Sequence, residues 1–437
     1  MHSGEVAILA VLLYISARSY YKLRKEDKDG MKIIEGGVTA AAGFEAAGVE
    51  ASIKYQNRKD MALIYSQAPC RAAGVFTGNV VKAAPVLWDR EIVAHSPYAQ
   101  AVVVNAGIAN ACTGKQGYEC CRQTAQKAAE ALDVSSDAVL VASTGVIGWQ
   151  IPIEKLVAGV DRLAHARAHT PEAGLAAVEA MMTTDTKPKQ AAVQIEVGGK
   201  TVTVGGMCKG SGMIHPNMST MLCFITTDIA ISKELLQEAL SEDVKDTFNM
   251  ISVDGDTSTN DTLIVLANGL AGNSEITERN ADYEIFKEAL HYIDETLAKK
   301  MAGDGEGATA LFETRVIHAA TKEEARILCK SVICSSLTKA MIYGHDANVG
   351  RIMCALGYAG VDFDPEQVDL YCEAAGNRMQ ICKDGMLTDY DEEEATKLLS
   401  APEVTVIVDM KRGDAEATAW GCDLTHEYVS INADYRS

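Results

Sequence analysis

Short apolar runs that end in glycine turns alternate with alanine-rich helical stretches along this chain, and that alternation sets the narrowest limit on its fold. Ala101 to Asn105 reads as a buried strand closed by a glycine turn, and Glu119 to Leu132 as a helix. Ala138 to Ser143 reads as a second strand, ending in Thr144-Gly145. Leu156 to Met182 is expected as one helix, and Ala191 to Val204 as a hairpin around Gly198-Gly199. Lys233 to Leu240 and Tyr283 to Met301 have helical character, whereas Leu263 to Ala267 and Val404 to Val408 are strand-like. Such a mixture predicts an α/β or α+β class in which helices cover central sheets. No internal repeat or low-complexity segment interrupts it.

Composition narrows the possible partners. The chain is 48% hydrophobic with only nine prolines, enough to bury a large core. Its length allows roughly two to three domains. A net charge of −20 argues against nucleic acid and anionic membranes, because lysine and arginine patches bind both. An anionic substrate would need a local cation, for which Lys209 is the candidate. The twelve cysteines are scattered without a CxxC pair, and adjacent residues such as Cys120 and Cys121 rarely meet disulfide geometry. Reduced thiols in a cytosolic protein are expected.

At the N-terminus, Val6 to Ala17 is apolar and is followed by Arg18, Lys22, Arg24 and Lys25. The run is short for a transmembrane helix. It also lacks the basic start and small-residue cleavage site of a signal peptide. Residues 1–30 are expected to be a dispensable extension; a membrane anchor with a cytoplasmic basic flank is the weaker alternative.

One loop carries the sharpest chemical signal. Lys209-Gly210-Ser211-Gly212-Met213-Ile214-His215-Pro216-Asn217-Met218-Ser219 is rich in turn residues and leads into Thr220, after which Met221 to Ile225 reads as a buried strand. Thr220 thus stands at a loop-to-strand junction. Were the chain cut before it, the freed α-amine, with a reference pKa of about 8, could serve as the base for the Thr220 hydroxyl. Taken alone, a threonine at a strand start is simply a β-branched residue in a favourable place.

This loop resembles the self-cleavage and nucleophile motif of the ornithine acetyltransferase (glutamate N-acetyltransferase) family of arginine biosynthesis. Arg71 to Asn79, Asn105 to Gly114, Ser143 to Gly148, Asp254 to Asp261, Asp304 to Thr309 and Ile431 to Tyr435 resemble further blocks of that family, in the same order. Together they span the chain from about Met31 to its end. The resemblance implies the family's fold, with central β-sheets flanked by helices and an N-terminal-nucleophile mechanism. It also implies self-cleavage between Ser219 and Thr220, giving an alpha chain of residues 31–219 and a beta chain of residues 220–437. Two copies of each would assemble as a heterotetramer.

Site residues follow from the same resemblance. Thr220 would take the acetyl group from N2-acetylornithine and pass it to glutamate, with acetyl-CoA as a further donor. Thr144 and Gly145 would form the oxyanion hole, offering a hydroxyl and a backbone N–H to the tetrahedral intermediate; a strand ending in Ser143-Thr144-Gly145 is otherwise an ordinary glycine turn. Lys209 would bind the substrate carboxylate, although most loop lysines are merely solvated. Thr183, with Thr184 as the alternative, would touch substrate, where capping of a helix end is the commoner duty. Glu306 would receive the ammonium group of an ornithine-like substrate. Asn432 and Ser437 would return to the site from the tail, although chain ends usually fray.

Four positions depart from the family pattern. Ser219 stands where alanine is usual, Ile108 replaces a polar residue, Val349 stands in place of tryptophan, and Ser437 in place of threonine. Three lookalikes are set aside. His165 and His169 lie four apart on an expected helix but lack the HExxH glutamate. Gly303 to Gly307 lacks the spacing of a dinucleotide loop. Asp254 to Asp261 lacks the full calcium-loop pattern. No metal and no bound cofactor are expected. Two rival functions remain from the residues: an aminopeptidase-like hydrolase that hands the acyl group to water, and an uncleaved binding protein for basic amino acids.

Overall fold

A computed structural model describes residues 30–215 and 221–434. The expectations for residues 1–29, Ser219, Thr220 and Ser437 fall outside the described residues. Ten strands come first in chain order: β1 Lys32–Ile34, β2 Phe44–Val49, β3 Met61–Phe76, β4 Ala99–Ile108, β5 Val139–Val146, β6 Lys189–Val197, β7 Lys200–Lys209, β8 Leu222–Thr227, β9 Ile251–Ser252 and β10 Thr262–Ala267. All but β9 form one nine-stranded sheet in the order β1-β6-β7-β8-β10-β3-β4-β5, with β2 also on β3. The later strands are β11 Leu311–Ala319, β12 Asp369–Ala374, β13 Asn377–Lys383, β14 Met386–Leu387, β15 Glu403–Asp409 and β16 Ala415–Cys422. With β9 they make a seven-stranded sheet. The class is mixed α/β, with both sheets covered by helices.

The apolar runs become strands because both of their faces are buried. Every residue of β4, β8 and β10 is buried, the pattern of a strand covered on two sides. Along β4 the period of two sorts the side chains: Val102 and Val104 join the core that holds Ala177 and Met181, while Ala101 and Val103 join the one that holds Ala125, Leu156 and Leu163. The helix Ala281–Ala302 packs on β6 and β7 and reaches β11 and β16, joining the sheets through one core around Leu290, Ile293 and Leu297.

The hairpin around Gly198-Gly199 is present as β6 and β7, with φ of +55° and +71° at the two turn glycines. The single helix expected over Leu156 to Met182 is a correction. It forms two helices, Ile153–Ala166 and Pro171–Met181. Ala168 bridges to Ala46, Thr170 caps the amide of Ala173, and Pro171 cannot extend a helix from before it. His165 and His169 therefore do not share a helix, and their ring nitrogens meet the carbonyls of Asp161 and Phe44.

Candidate active site

A cleft of about 440 Å³ opens where β5, the end of β7, the start of β8 and the C-terminal helix His426–Ala433 converge. Its walls include Thr144, Gly145, Thr183, Thr184, Lys209, Glu306 and Asn432, bringing together every predicted site residue that is described. Met221, which follows Thr220, lines it too.

The Thr144-Gly145 corner is shaped by glycine and held by asparagine. Strands β4 and β5 run parallel and pair Gly107 with Gly145. Gly145 has φ +128°, and a side-chain carbon there would lie 2.2 Å from the Gly107 carbonyl carbon. Only glycine lets the two strand ends come this close. Asn260 Nδ2 donates to Ser143 O at 2.8 Å and to Ala109 O at 2.5 Å, while its Oδ1 accepts from Thr259. Asn105 accepts from Ser143 Oγ at 2.7 Å and donates to Ile108 O. The peptide carrying Thr144 is thereby fixed from both sides.

A buried ionic network anchors the opposite wall. Lys189, 1% exposed, places Nζ 2.7 Å from Asp185 Oδ1 and 2.5 Å from Asp304 Oδ2. Lys209 Nζ donates to Thr183 Oγ1 at 3.0 Å and stands 3.8 Å from Asp185 Oδ2. Burial works to raise the Asp185 carboxyl, yet the ammonium groups of Lys209 and Lys189 hold it well below the usual carboxylate range. The threonine in contact with Lys209 is Thr183 rather than Thr184, and it presents its hydroxyl beside the cation.

Glu306 reaches the cleft across a glycine. A side-chain carbon on Gly212 would sit 2.3 Å from the Glu306 carboxyl carbon, so the carboxylate occupies space that any other residue would fill. Asn432 Nδ2 donates to Glu306 Oε2 at 2.7 Å, which brings the C-terminal helix onto the site. The cleft thus sets the Lys209 ammonium and the Glu306 carboxylate on its wall, a pattern complementary to a zwitterionic amino acid.

Both described ends of the Thr220 loop are tied down. Asp254 accepts from the amides of Met213 and Ile214, and the His215 carbonyl accepts from Thr257 Oγ1 at 2.8 Å. On the far side, Thr262 N donates to Met221 O at 2.7 Å. Burial, with Lys330 nearby, brings the His215 imidazole down to about 4.

The sequence reading missed Asn260, Asp261, Asp185 and Asp304. Asp261 lines the cleft at 1% exposure, and its Oδ2 has no hydrogen-bond partner among the described residues. Burial pushes its carboxyl well above the usual range. The block Asp254 to Asp261 resembled the family, but nothing local distinguished a cleft carboxyl from a turn of acidic residues.

The ArgJ family model matches residues 45–437. The arginine biosynthesis bifunctional protein ArgJ of Symbiobacterium thermophilum is 52% identical over 409 residues, covering 93% of this chain and 100% of that one. The protein of the same name from Thermotoga neapolitana is 48% identical over 396 residues, covering 90% and 99%. Among solved structures, the arginine biosynthesis bifunctional protein argJ of Bacillus halodurans is 45% identical, covers 48% of this chain and 97% of that chain, and superposes with a TM-score of 0.46.

Proposed function

The chain belongs to the ArgJ family, and we propose that its cleft moves acetyl from N2-acetylornithine to glutamate through an acetyl-Thr220 enzyme. It is an acetyltransferase of arginine biosynthesis. On this reading the chain first cuts itself between Ser219 and Thr220, freeing the Thr220 amine. That amine takes the hydroxyl proton as the oxygen attacks the acetyl carbonyl. The Thr144 hydroxyl and the Gly145 N–H receive the oxyanion. The amide C–N bond breaks, the proton passes to the departing nitrogen, and ornithine leaves a threonine ester. Glutamate then enters, its amine attacks the ester, and N-acetylglutamate departs with the hydroxyl restored.

One observation carries the reading. Thr144, Gly145, Thr183, Lys209, Glu306 and Asn432 come from five separate stretches of sequence, yet all line one cleft beside Met221. Lys209 with Thr183 suits the α-carboxylate of either substrate. Glu306, oriented by Asn432, suits the ammonium of ornithine, and Ser437, outside the described residues, is proposed as a further substrate contact. The enzyme is proposed to work in the cytoplasm as a heterotetramer of two alpha and two beta chains, with acetyl-CoA as a second donor. Among the described residues, no helix is long and apolar enough to cross a membrane.

Mass measurement under denaturing conditions tests the proposal. Two fragments are expected, the second starting at Thr220, and Thr220→Ala should remain uncut and inactive. With acetylornithine alone, ornithine release should stop at one equivalent per site; continuous release would mean hydrolysis instead. An active enzyme that stays a single full-length chain would overturn the reading.

A further inference from the structure

Immediately outside the cleft, the chain assembles cations and aromatic rings that a zwitterionic substrate does not use. Lys54 Nζ lies 5.4 Å from the Tyr55 ring centroid and 5.7 Å from that of Trp149, while the Arg58 guanidinium lies 4.5 Å from the Tyr55 ring. Trp149 is 45% exposed although it is among the largest apolar side chains of the molecule. This group adjoins the proposed oxyanion corner. A side-chain carbon on Gly107 would be 2.8 Å from Lys54 Cβ and 3.3 Å from the Tyr55 ring, and Gly107 is the residue pressed against Gly145. Trp149 follows Val146 and Ile147, which line the cleft. Arg58 Nη2 donates at 2.7 Å to the carbonyl of Met182, next to Thr183.

A helix start that carries a lysine is tied to the rim. Gln150 Nε2 donates to Thr113 O at 3.1 Å, joining the rim to the start of the helix Gly114–Leu132, whose first turn carries Lys115 and no acidic side chain. Glu50, the acidic neighbour, already accepts from Ser52 Oγ and the amide of Asn57. On a chain of net charge −20, a polyanion would be repelled from most of the surface, and a local cationic rim gives it a place to dock. The exposed Trp149 ring beside these cations adds an aromatic surface for a stacked base. Anionic phosphates and an aromatic base, carried together with a transferable acetyl group, describe a nucleotide thioester.

We propose that the rim of Lys54, Tyr55 and Trp149, extended by Lys115, holds the adenosine-phosphate end of acetyl-CoA while its thioester enters the cleft. This rests on the acetyl-Thr220 reading and names where the second donor binds. The thioester C–S bond breaks as the Thr220 ester forms, and the threonine proton passes to the leaving sulfur, giving the free thiol. Acetylornithine has neither phosphate nor base, so it does not touch the rim.

The variants K54E and W149S in the cleaved enzyme separate the two donors. With acetyl-CoA plus glutamate, KM for acetyl-CoA should rise about tenfold or more, the scale of losing one base–aromatic stack. With acetylornithine plus glutamate, kcat/KM should stay within about twofold. Adenosine 3′,5′-bisphosphate should inhibit only the acetyl-CoA reaction, and less so in the variants. W149F, which keeps a ring, should recover much of the loss and guards against misfolding. An equal fall in both reactions, or an unchanged KM for acetyl-CoA, overturns the rim. Wild-type enzyme active with acetylornithine but inert with acetyl-CoA overturns the rim and leaves the cleft reading standing; inactivity with both donors removes the two together.

Discussion

At the residue scale, Thr144 and Gly145 meet different demands. Thr144 would contribute a hydroxyl, whereas Gly145 lets two strand ends touch as well as offering an N–H. Thr144→Val keeps shape and backbone, so kcat should fall about 10²- to 10³-fold, the cost of one oxyanion donor, with little change in thermal midpoint. Gly145→Ala adds a carbon to a space already filled and strains a backbone at φ +128°. It should lose activity at least as severely and also lower the thermal midpoint by several degrees. Parallel single-turnover assays and melts of the two variants distinguish these roles. Equal melting behaviour would mean that the β4–β5 contact can relax. Asp261 is a third case: Asp261→Asn keeps the volume of a buried group whose carboxyl favours the protonated form. Because that folded pKa is raised, the stability it contributes is full below about pH 4 and declines as pH rises through the raised value. The asparagine variant should therefore be relatively more stable at neutral pH, as denaturant midpoints at pH 4 and pH 7 would reveal.

Elements are held in place by pairs that lie far apart in sequence. Lys189 begins β6, Asp185 lies past the helix Pro171–Met181, and Asp304 follows the helix Ala281–Ala302; one ammonium joins all three. Lys189→Met would leave two buried carboxylates, of which Asp185 keeps Lys209 at 3.8 Å, costing about 3–5 kcal/mol in denaturant unfolding. The loop leading to Thr220 has its own pH signature. The His215 imidazole is brought down to about 4 from an ordinary 6.5, so its contribution to stability is present above pH 6.5 and lost as pH falls toward 4. His215→Gln should flatten the stability profile across that window, an outcome that thermal melts at stepped pH would check. These long-range pairs also mark what the sequence could not reveal. Strands β4, β5 and β10 and the Gly198-Gly199 hairpin were legible because period and turn chemistry are local. The break at Thr170-Pro171 carries a local signal in its proline, but the apolar spacing on either side concealed it and the helix was expected to run through. Nothing in a local pattern pairs Lys189 with Asp304, or turns the Asn260 amide toward Ser143 across 117 residues. The proposed site residues were found through ordered motifs; their supports were not, because supports depend on which strands meet.

Across the whole molecule, the proposed cut falls between two strands of one sheet. Residue 209 ends β7 and Leu222 begins β8, and the two strands pair antiparallel from Val204–Thr227 to Lys209–Leu222. Beyond the cut, β8 lies parallel to β10, and β10 lies antiparallel to β3 from the other fragment. The strand order β7-β8-β10-β3 therefore interleaves the fragments, with the two beta-chain strands of this sheet, β8 and β10, enclosed by strands of the alpha chain. Separation would break two backbone ladders and expose β8 and β10, all of whose residues are buried. A buried strand torn from its neighbours leaves unpaired amides and carbonyls as well as apolar surface, and each unsatisfied group costs about 1–3 kcal/mol. The cleaved protein should therefore behave as one folding unit. Native mass spectrometry on serial dilution should show the two fragments only in equal numbers, while denaturant should release both in a single cooperative transition. Either fragment appearing alone under native conditions, or two separate unfolding transitions assigned to the two fragments, would show that the shared sheet does not hold them together.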